Sequence, residues 1–262
     1  MKIVVCVKQV PATNNAKIDP ETKRIIREGL EAILNPFDTY AVEEAVQLRE
    51  KFGGEVIVLS MGPEKANLAL RECISAGADR GILLSDRAFG GSDTWATSYV
   101  LSKAIEKIGD VDLVICGKQA IDGDTAQVGP GIAAHLDWLQ ATYVMKVVDA
   151  SAQGIRVQRM HEDGYDVCDL DFPAVLTVVK DINSPRIPSL RGRMAAGKAE
   201  IPVWHPDDIG TELSLIGLNG SPTRVVKTQP PPPRNTVTQV MIGTAQENAH
   251  ALVHELRLRS LL

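Results

Sequence analysis

The sequence predicts an α/β fold, an open and mostly parallel sheet flanked by helices, with an extended C-terminal arm. Three observations carry that expectation. Short apolar runs at 3–7, 56–59, 82–84 and 111–116 alternate with longer helix-period segments, the pattern of repeated strand–helix–strand units. Aromatic residues are only 4% of a chain that is 44% hydrophobic, so Ala, Val, Ile and Leu must build the core, as suits strands covered on both faces. After Lys180 the periodicity is lost, and residues 181–241 hold most of the prolines, including Pro230, Pro231, Pro232 and Pro233, which favour extended polyproline backbone. A domain over 1–202 is therefore expected, followed by an arm over 203–262 that lies on another subunit.

The first strand is the run Ile3, Val4, Val5, Cys6, Val7. A helix over 39–52 follows from the spacing of Ala41, Val42, Ala45, Val46, Leu48 and Phe52. Asp38 is its expected N-cap, Phe37 and Val42 have the spacing of a hydrophobic staple, and Gly53-Gly54 is the stop. Two further helices are expected at 63–76, opening on Pro63, and at 94–108, capped by Asp93. From about 142, alternating runs separated by Gly, Asp and Pro predict added strands, with a hairpin turn at 161–164 and a core strand at 174–179. The stretch 245–259 predicts a last helix.

The 28 Lys and Arg against 33 Asp and Glu leave a formal charge of −5, the wrong sign for a partner of nucleic acid. The N-terminal apolar run ends at Lys8, too short for a signal-peptide core or a membrane span, so a soluble, cytoplasmic protein is expected. Cys6, Cys73, Cys116 and Cys168 form no C-x-x-C pair and are expected as buried small hydrophobes. His250 and His254 are four apart but lack the intervening Glu of a zinc motif, His135 and His205 have no evident partner, and no metal site is expected.

In an open parallel sheet, ligands bind beyond the carboxyl ends of the strands. After Cys116 comes a long turn of small residues, Gly117, Lys118, Gln119, Ala120, Ile121, Asp122, Gly123, Asp124, Thr125, Ala126, Gln127 and Val128, leading into a helix. Backbone N–H groups at such a helix start can cradle phosphate without side-chain charge, although the spacing is neither a P-loop nor the dinucleotide glycine motif. A second glycine turn holds Arg87, Gly90, Gly91, Asp93 and Thr94. Its GGSDT core is similar to the phosphate loop of ATP pyrophosphatase-type enzymes, but there the loop follows the first strand and here the third. No G-x-S-x-G elbow and no acid–base set is present, which points to a bound cofactor as the source of any chemistry.

The strand IVVCVKQV, the Asn35, Pro36, Phe37, Asp38 run before AVEEAVQL, GADRGI at 77–82, GKQAIDGDTAQVG at 117–129 and the Asn183, Pro185, Arg186, Ser189, Leu190 pattern together resemble the electron transfer flavoprotein beta subunit family. The likeness runs from residue 1 to about 202. It implies a Rossmann-like, adenine-nucleotide-binding fold and a heterodimer with an alpha subunit that carries FAD. It also implies nucleotide contacts at Cys6, at Asn35, Pro36, Phe37 and Asp38, at Met61, and along the turn from Gly117 to Val128, with the N–H groups of Gly123, Thr125, Gln127 and Val128 on phosphate.

Ordinary members hold AMP in this subunit, and members of the electron-bifurcating branch hold a second FAD. The second glycine turn resembles that branch, which implies FAD here. Electrons would come from NADH and go to the alpha flavin and to a low-potential acceptor such as ferredoxin. Gly90 and Gly91 would give a flat ring room, and Arg87 would supply a cation to it. Residues 183–200 resemble the loop with which the family clamps a flavin dehydrogenase of acyl-CoA or other type, with Leu190 as the apolar anchor among Arg186, Arg191 and Arg193.

Overall fold

A computed structural model describes residues 1–12, 32–226 and 238–262. Chain-contact density separates two units, Met1–Val226 and Lys227–Leu262. The run Pro230 to Pro233 lies outside the described residues.

The first unit opens with β1 (Lys2–Cys6), then β2 (Gln9–Pro11) and β3 (Ala32–Leu34), which pair with each other antiparallel. Next come α1 (Pro36–Phe52), β4 (Glu55–Met61), α2 (Asn67–Ser75), β5 (Arg80–Leu84), α3 (Thr94–Ile108), β6 (Leu113–Gly117) and α4 (Val128–Leu136). An antiparallel ribbon of β7 (Leu139–Ala150), β8 (Gly154–His161) and β9 (Gly164–Asp171) leads to β10 (Ala174–Val178). Then follow α5 (Leu190–Lys198), β11 (Val203–Trp204) and the single turn α6 (Gly217–Gly220). One sheet of nine strands runs in the order β11-β5-β4-β1-β6-β10-β7-β8-β9, parallel except where β8 and β9 are added.

Strand pleat decides the two cores. Ile3 and Val5 face the layer of α1 and α2, while Val4 and Cys6 face the layer of α3 and α4. Ile3, Ile57, Leu113, Ile115 and Leu176 are fully buried between these layers, each burial stabilising by roughly 1.5–3 kcal/mol. From β1 the chain builds outward through β4 and β5, then returns to place β6 on β1's other side. Connections therefore diverge between β1 and β6, and a crevice opens beyond their carboxyl ends.

Asp93 caps α3 as expected, its carboxylate accepting from the N–H groups of Trp95 and Ala96, and Gly53 ends α1 at a φ of 73°. The helix expected from Pro63 divides into a 3₁₀ turn, Glu64–Ala66, and α2. Cys6, Cys73 and Cys116 are buried, Cys168 is half-buried, and all four are free.

Asp38 is not a cap. α1 begins at Pro36 with Asn35 in the N-cap position, so Asp38 stands inside the first turn with its carboxylate turned into the protein, and the staple built on an Asp38 cap lapses with it. Proline at the first helical position costs no hydrogen bond, since that N–H has no intrahelical acceptor.

The aperiodic region contains more order than its pattern suggests. β11 extends the sheet along β5, and Ile209 and Ile216 are buried in the α3 layer. These residues belong to the first compact unit, which runs to Val226. In the second unit, α7 (Ala245–Leu258) starts with a capping box between Thr244 and Glu247 and exposes Leu252, Val253 and Leu258.

Candidate functional site

A cavity of about 390 Å³ lies at the carboxyl ends of β1, β4 and β6. β1 brings Cys6, Val7 and Lys8 to its wall, β4 brings Met61, and the start of α1 brings Asn35 and Asp38. From β6 and the turn beyond it come Cys116, Gly117, Lys118, Gln119, Ala120, Gly123, Thr125, Ala126, Gln127 and Val128. The second glycine turn and α3 close the far side with Phe89, Gly91, Asp93, Thr94, Thr97 and Leu101. A more open hollow of about 380 Å³ on the outer hairpin, among Asp149, Arg156, Asp169 and Asp171, lies apart from the strand ends.

The turn after β6 is anchored at one end and free at the other. Asn35 Nδ2 donates to the Gln119 carbonyl at 2.9 Å, and the Ile121 N–H donates to Asn35 Oδ1 at 3.1 Å. The Gly123 and Asp124 N–H groups close back on the Ala120 carbonyl. Asp124 and Ala126 then take left-handed backbone, at φ of 57° and 54°, and Gln127 returns to right-handed backbone at −107°. Such alternation turns successive amides toward one side and makes an anion-binding nest. Among the described residues, the N–H groups of Thr125, Ala126, Gln127 and Val128 meet no acceptor in the protein. Those amides, at the start of α4, are donors for a ligand anion.

Gly117 is the close-approach point. A Cβ there would lie 2.8 Å from the Phe37 carbonyl carbon and would overlap the Asp38 carboxylate. Asp38 is 5% exposed; its Oδ2 accepts the Lys8 N–H at 2.7 Å and its Oδ1 accepts Asn35 Nδ2 at 2.8 Å. Burial pushes its carboxyl up from 3.8 to about 7, against the pull of Asn35 and of the Lys8 and Gly117 N–H groups. Lys8 Nζ reaches both Asp122 oxygens at 2.8 Å, tying the end of β1 to the turn.

At the second glycine turn the space beside Gly91 is already taken. Its φ is 78°, and a Cβ would stand 2.6 Å from Leu218 Cγ, so the missing side chain makes room for α6 rather than for a ring. Asp93 Oδ2 accepts from the Thr223 N–H and hydroxyl, and Ser221 Oγ accepts the Asp93 N–H. Asp86 pairs with His205 at 3.1 Å, supplying the partner that the sequence did not reveal for this histidine. Arg87 is exposed and outside the lining, as is Gly90. Pro36, Phe37, Ile121, Asp122 and Asp124 are likewise outside the lining. His135 stacks on Trp95, with ring centroids 4.6 Å apart.

Sequence reading missed Val7, Lys8, Phe89, Ser92, Thr97, Leu101, Cys116 and Gly129 in the wall. A signal for part of this set was present, since Thr94, Thr97 and Leu101 fall at helical spacing on one face of α3.

On the opposite layer, Arg186 forks across two turns of α1. Its Nε and Nη2 meet Glu43 at 2.8 and 3.0 Å, while Nη1 and Nη2 meet Glu50 at 2.6 and 3.0 Å. Beyond this clasp Ile187, Leu190 and Met194 are 87%, 76% and 58% exposed, with Arg191 and Arg193 exposed between them. Among the described residues no helix is long and apolar enough to cross a membrane, and no group of three His, Cys, Asp or Glu side chains is placed to hold a metal ion.

The electron transfer flavoprotein domain family matches residues 22–209. The chain belongs to the electron transfer flavoprotein family. It is 48% identical over 265 residues to the electron transfer flavoprotein subunit beta of Thermoanaerobacterium thermosaccharolyticum, covering 100% of both chains. It is 47% identical over 263 residues to subunit CarD of the caffeyl-CoA reductase-Etf complex of Acetobacterium woodii, again covering 100% of each. Protein FixA of Azotobacter vinelandii is 47% identical over 241 residues, 90% of this chain and 86% of that one. Within the electron transfer flavoprotein family these matches place the chain with the beta subunits.

Proposed function

We propose that this chain is the beta subunit of a heterodimeric electron transfer flavoprotein that holds FAD in the cavity between β1, β4 and β6, within a complex that carries out flavin-based electron bifurcation in the cytoplasm. The observation that carries the nucleotide reading is the nest of free amides from Thr125 to Val128, set at a helix start on the rim of that cavity. These amides would receive the diphosphate, while Asn35, itself bonded to Asp38, holds the turn that presents them. Met61, Phe89 and Leu101 give the cavity apolar lining, which suits a flat ring at the other end of an extended ligand. The bound flavin would supply two-electron uptake from NADH and one-electron release to the alpha-subunit FAD and to a low-potential acceptor such as ferredoxin.

Similarity to CarD, a subunit of a caffeyl-CoA reductase complex, supports a flavin dehydrogenase as partner. Residues 183–200 would dock it, with Leu190 as anchor and Arg191 and Arg193 guiding encounter.

A family member of the ordinary kind would hold AMP here, and the same amides would take its single phosphate. Nucleotides released by denaturing the purified heterodimer separate the two. Two FAD per heterodimer support bifurcation, and one FAD with one AMP defeats it.

A further inference from the structure

Of the residues in the 183–200 segment, Arg186 stands apart because its charge is already spent. The guanidinium makes four contacts of 2.6–3.0 Å with Glu43 and Glu50, and its own N–H donates to Glu43 Oε2 at 3.1 Å. Burial raises the Glu43 carboxyl, but Arg186 and Gln47 outweigh it and hold that group below its ordinary range. Three residues earlier, Asn183 Nδ2 donates to the Tyr40 carbonyl and to Glu44 Oε2, at 3.0 and 2.9 Å. The start of the segment is therefore fastened along α1 at Tyr40, Glu43, Glu44 and Glu50. Beyond it Ile187, in the non-helical stretch before α5, and Leu190 and Met194, four apart on one face of α5, carry apolar side chains into solvent. From Gly192 onward the segment is held again, by the Ser75 carbonyl against Gly192 and by Arg71 on the Ala196 carbonyl.

We propose that Arg186 is a positioning residue and not a partner contact: its fork on Glu43 and Glu50 holds Ile187, Leu190 and Met194 as one preformed apolar stripe for the dehydrogenase. A planar five-donor group is needed, because a lysine ammonium lacks the fork that sets paired N–H groups on both carboxylates at once. The occupant of the stripe is an apolar pocket with an acidic rim, the complement of Leu190 flanked by Arg191 and Arg193. This rests on the docking role proposed above for residues 183–200.

The test uses the intact heterodimer with its flavins, in Arg186→Gln, Arg186→Lys and the Glu43→Gln/Glu50→Gln double variant. Trypsin cleavage after Arg191 and Arg193 is timed first, with no dehydrogenase present. All three variants are expected to be cut several-fold faster than the parent, at unchanged flavin content. Steady-state transfer with the dehydrogenase is then expected to show KM raised about tenfold with kcat held, as when only a fraction of molecules has the competent arrangement. If the role were a charge contact, Arg186→Lys would restore KM, and the double variant, which frees the Arg186 charge, would leave KM unchanged or lower it; either result overturns the proposal. Unchanged cleavage in Arg186→Gln also overturns it. Faster cleavage with an unchanged KM would uphold the clasp and reject the docking role on which it was placed.

Discussion

Gly117 at the end of β6 lies flat against Phe37 in the first turn of α1, so close that a methyl group added to it would sit 2.8 Å from the Phe37 carbonyl carbon. The contact lets α1 bring Asn35 to the carbonyl of Gln119, and Asn35 in turn holds the anion-binding turn. Gly117→Ala is expected to force the helix start away from the strand at a cost of about 1–3 kcal/mol. Urea unfolding should show that loss, and the purified variant should retain less nucleotide than the parent. A variant of parental stability with full nucleotide content would show that the close approach has no such role.

Gly91 and Leu218 form a comparable pair on the opposite layer. At a φ of 78°, alanine costs roughly 1–2 kcal/mol in backbone conformation alone. Overlap with Leu218 adds to that cost, and Leu218→Ala removes the overlap without easing the backbone. A double-mutant cycle by chemical denaturation is expected to give a coupling of at least about 0.5 kcal/mol between Gly91→Ala and Leu218→Ala. Strictly additive losses would mean that Leu218 moves aside freely and does not fill the space at Gly91.

What was legible in the sequence follows from the range of the interaction. The Asp93 cap depends on amides two and three residues away, and the strands of the central sheet carry their burial on both faces as unbroken apolar runs, so local reading finds both. Asp38 was misread because its donors are the N–H of Lys8, thirty residues away, and Asn35 in the true cap position. α5 was missed because Ala196 is its one buried residue, which leaves no apolar period to detect. β11 is two residues long and finds its partner β5 about 120 positions earlier. In the site, the turn after β6 announces itself through small residues, whereas the filling of Gly91 by Leu218 and the clasp of Arg186 on Glu43 are long-range packing that composition does not encode.

Leu190 is 76% exposed on α5, and Ser189 caps the helix through the Gly192 N–H. Truncating so exposed a side chain removes little from the folded subunit. An anchor that fills a partner's pocket contributes about 2 kcal/mol or more to binding, so Leu190→Ala should lower the second-order rate of electron transfer with the dehydrogenase by at least about tenfold. Its melting temperature and flavin spectrum should match the parent. An unaltered transfer rate, or loss of flavin, would count against the docking role.

Asp38 gives the stability of the subunit a distinct pH dependence. Its carboxyl is lifted by burial from 3.8 to about 7, so the folded chain holds a proton there that the unfolded chain releases near pH 4. Stability is therefore fullest below about pH 4 as far as this group is concerned, and it declines as pH rises toward 7. The lift corresponds to roughly 4 kcal/mol of differential stability at most. Other carboxylates pull the opposite way, Glu50 among them, held below its ordinary range by Arg186. The comparison that isolates Asp38 is thus the difference between the parent and Asp38→Asn across pH 5 to 8. Asparagine gives up one acceptor, so the variant should be the less stable of the two at pH 5. That gap should narrow by pH 8, because only the parent bears the growing cost of a buried charge. A gap that stays constant over this range would mean that Asp38 keeps its ordinary acidity and that its three donors outweigh its burial.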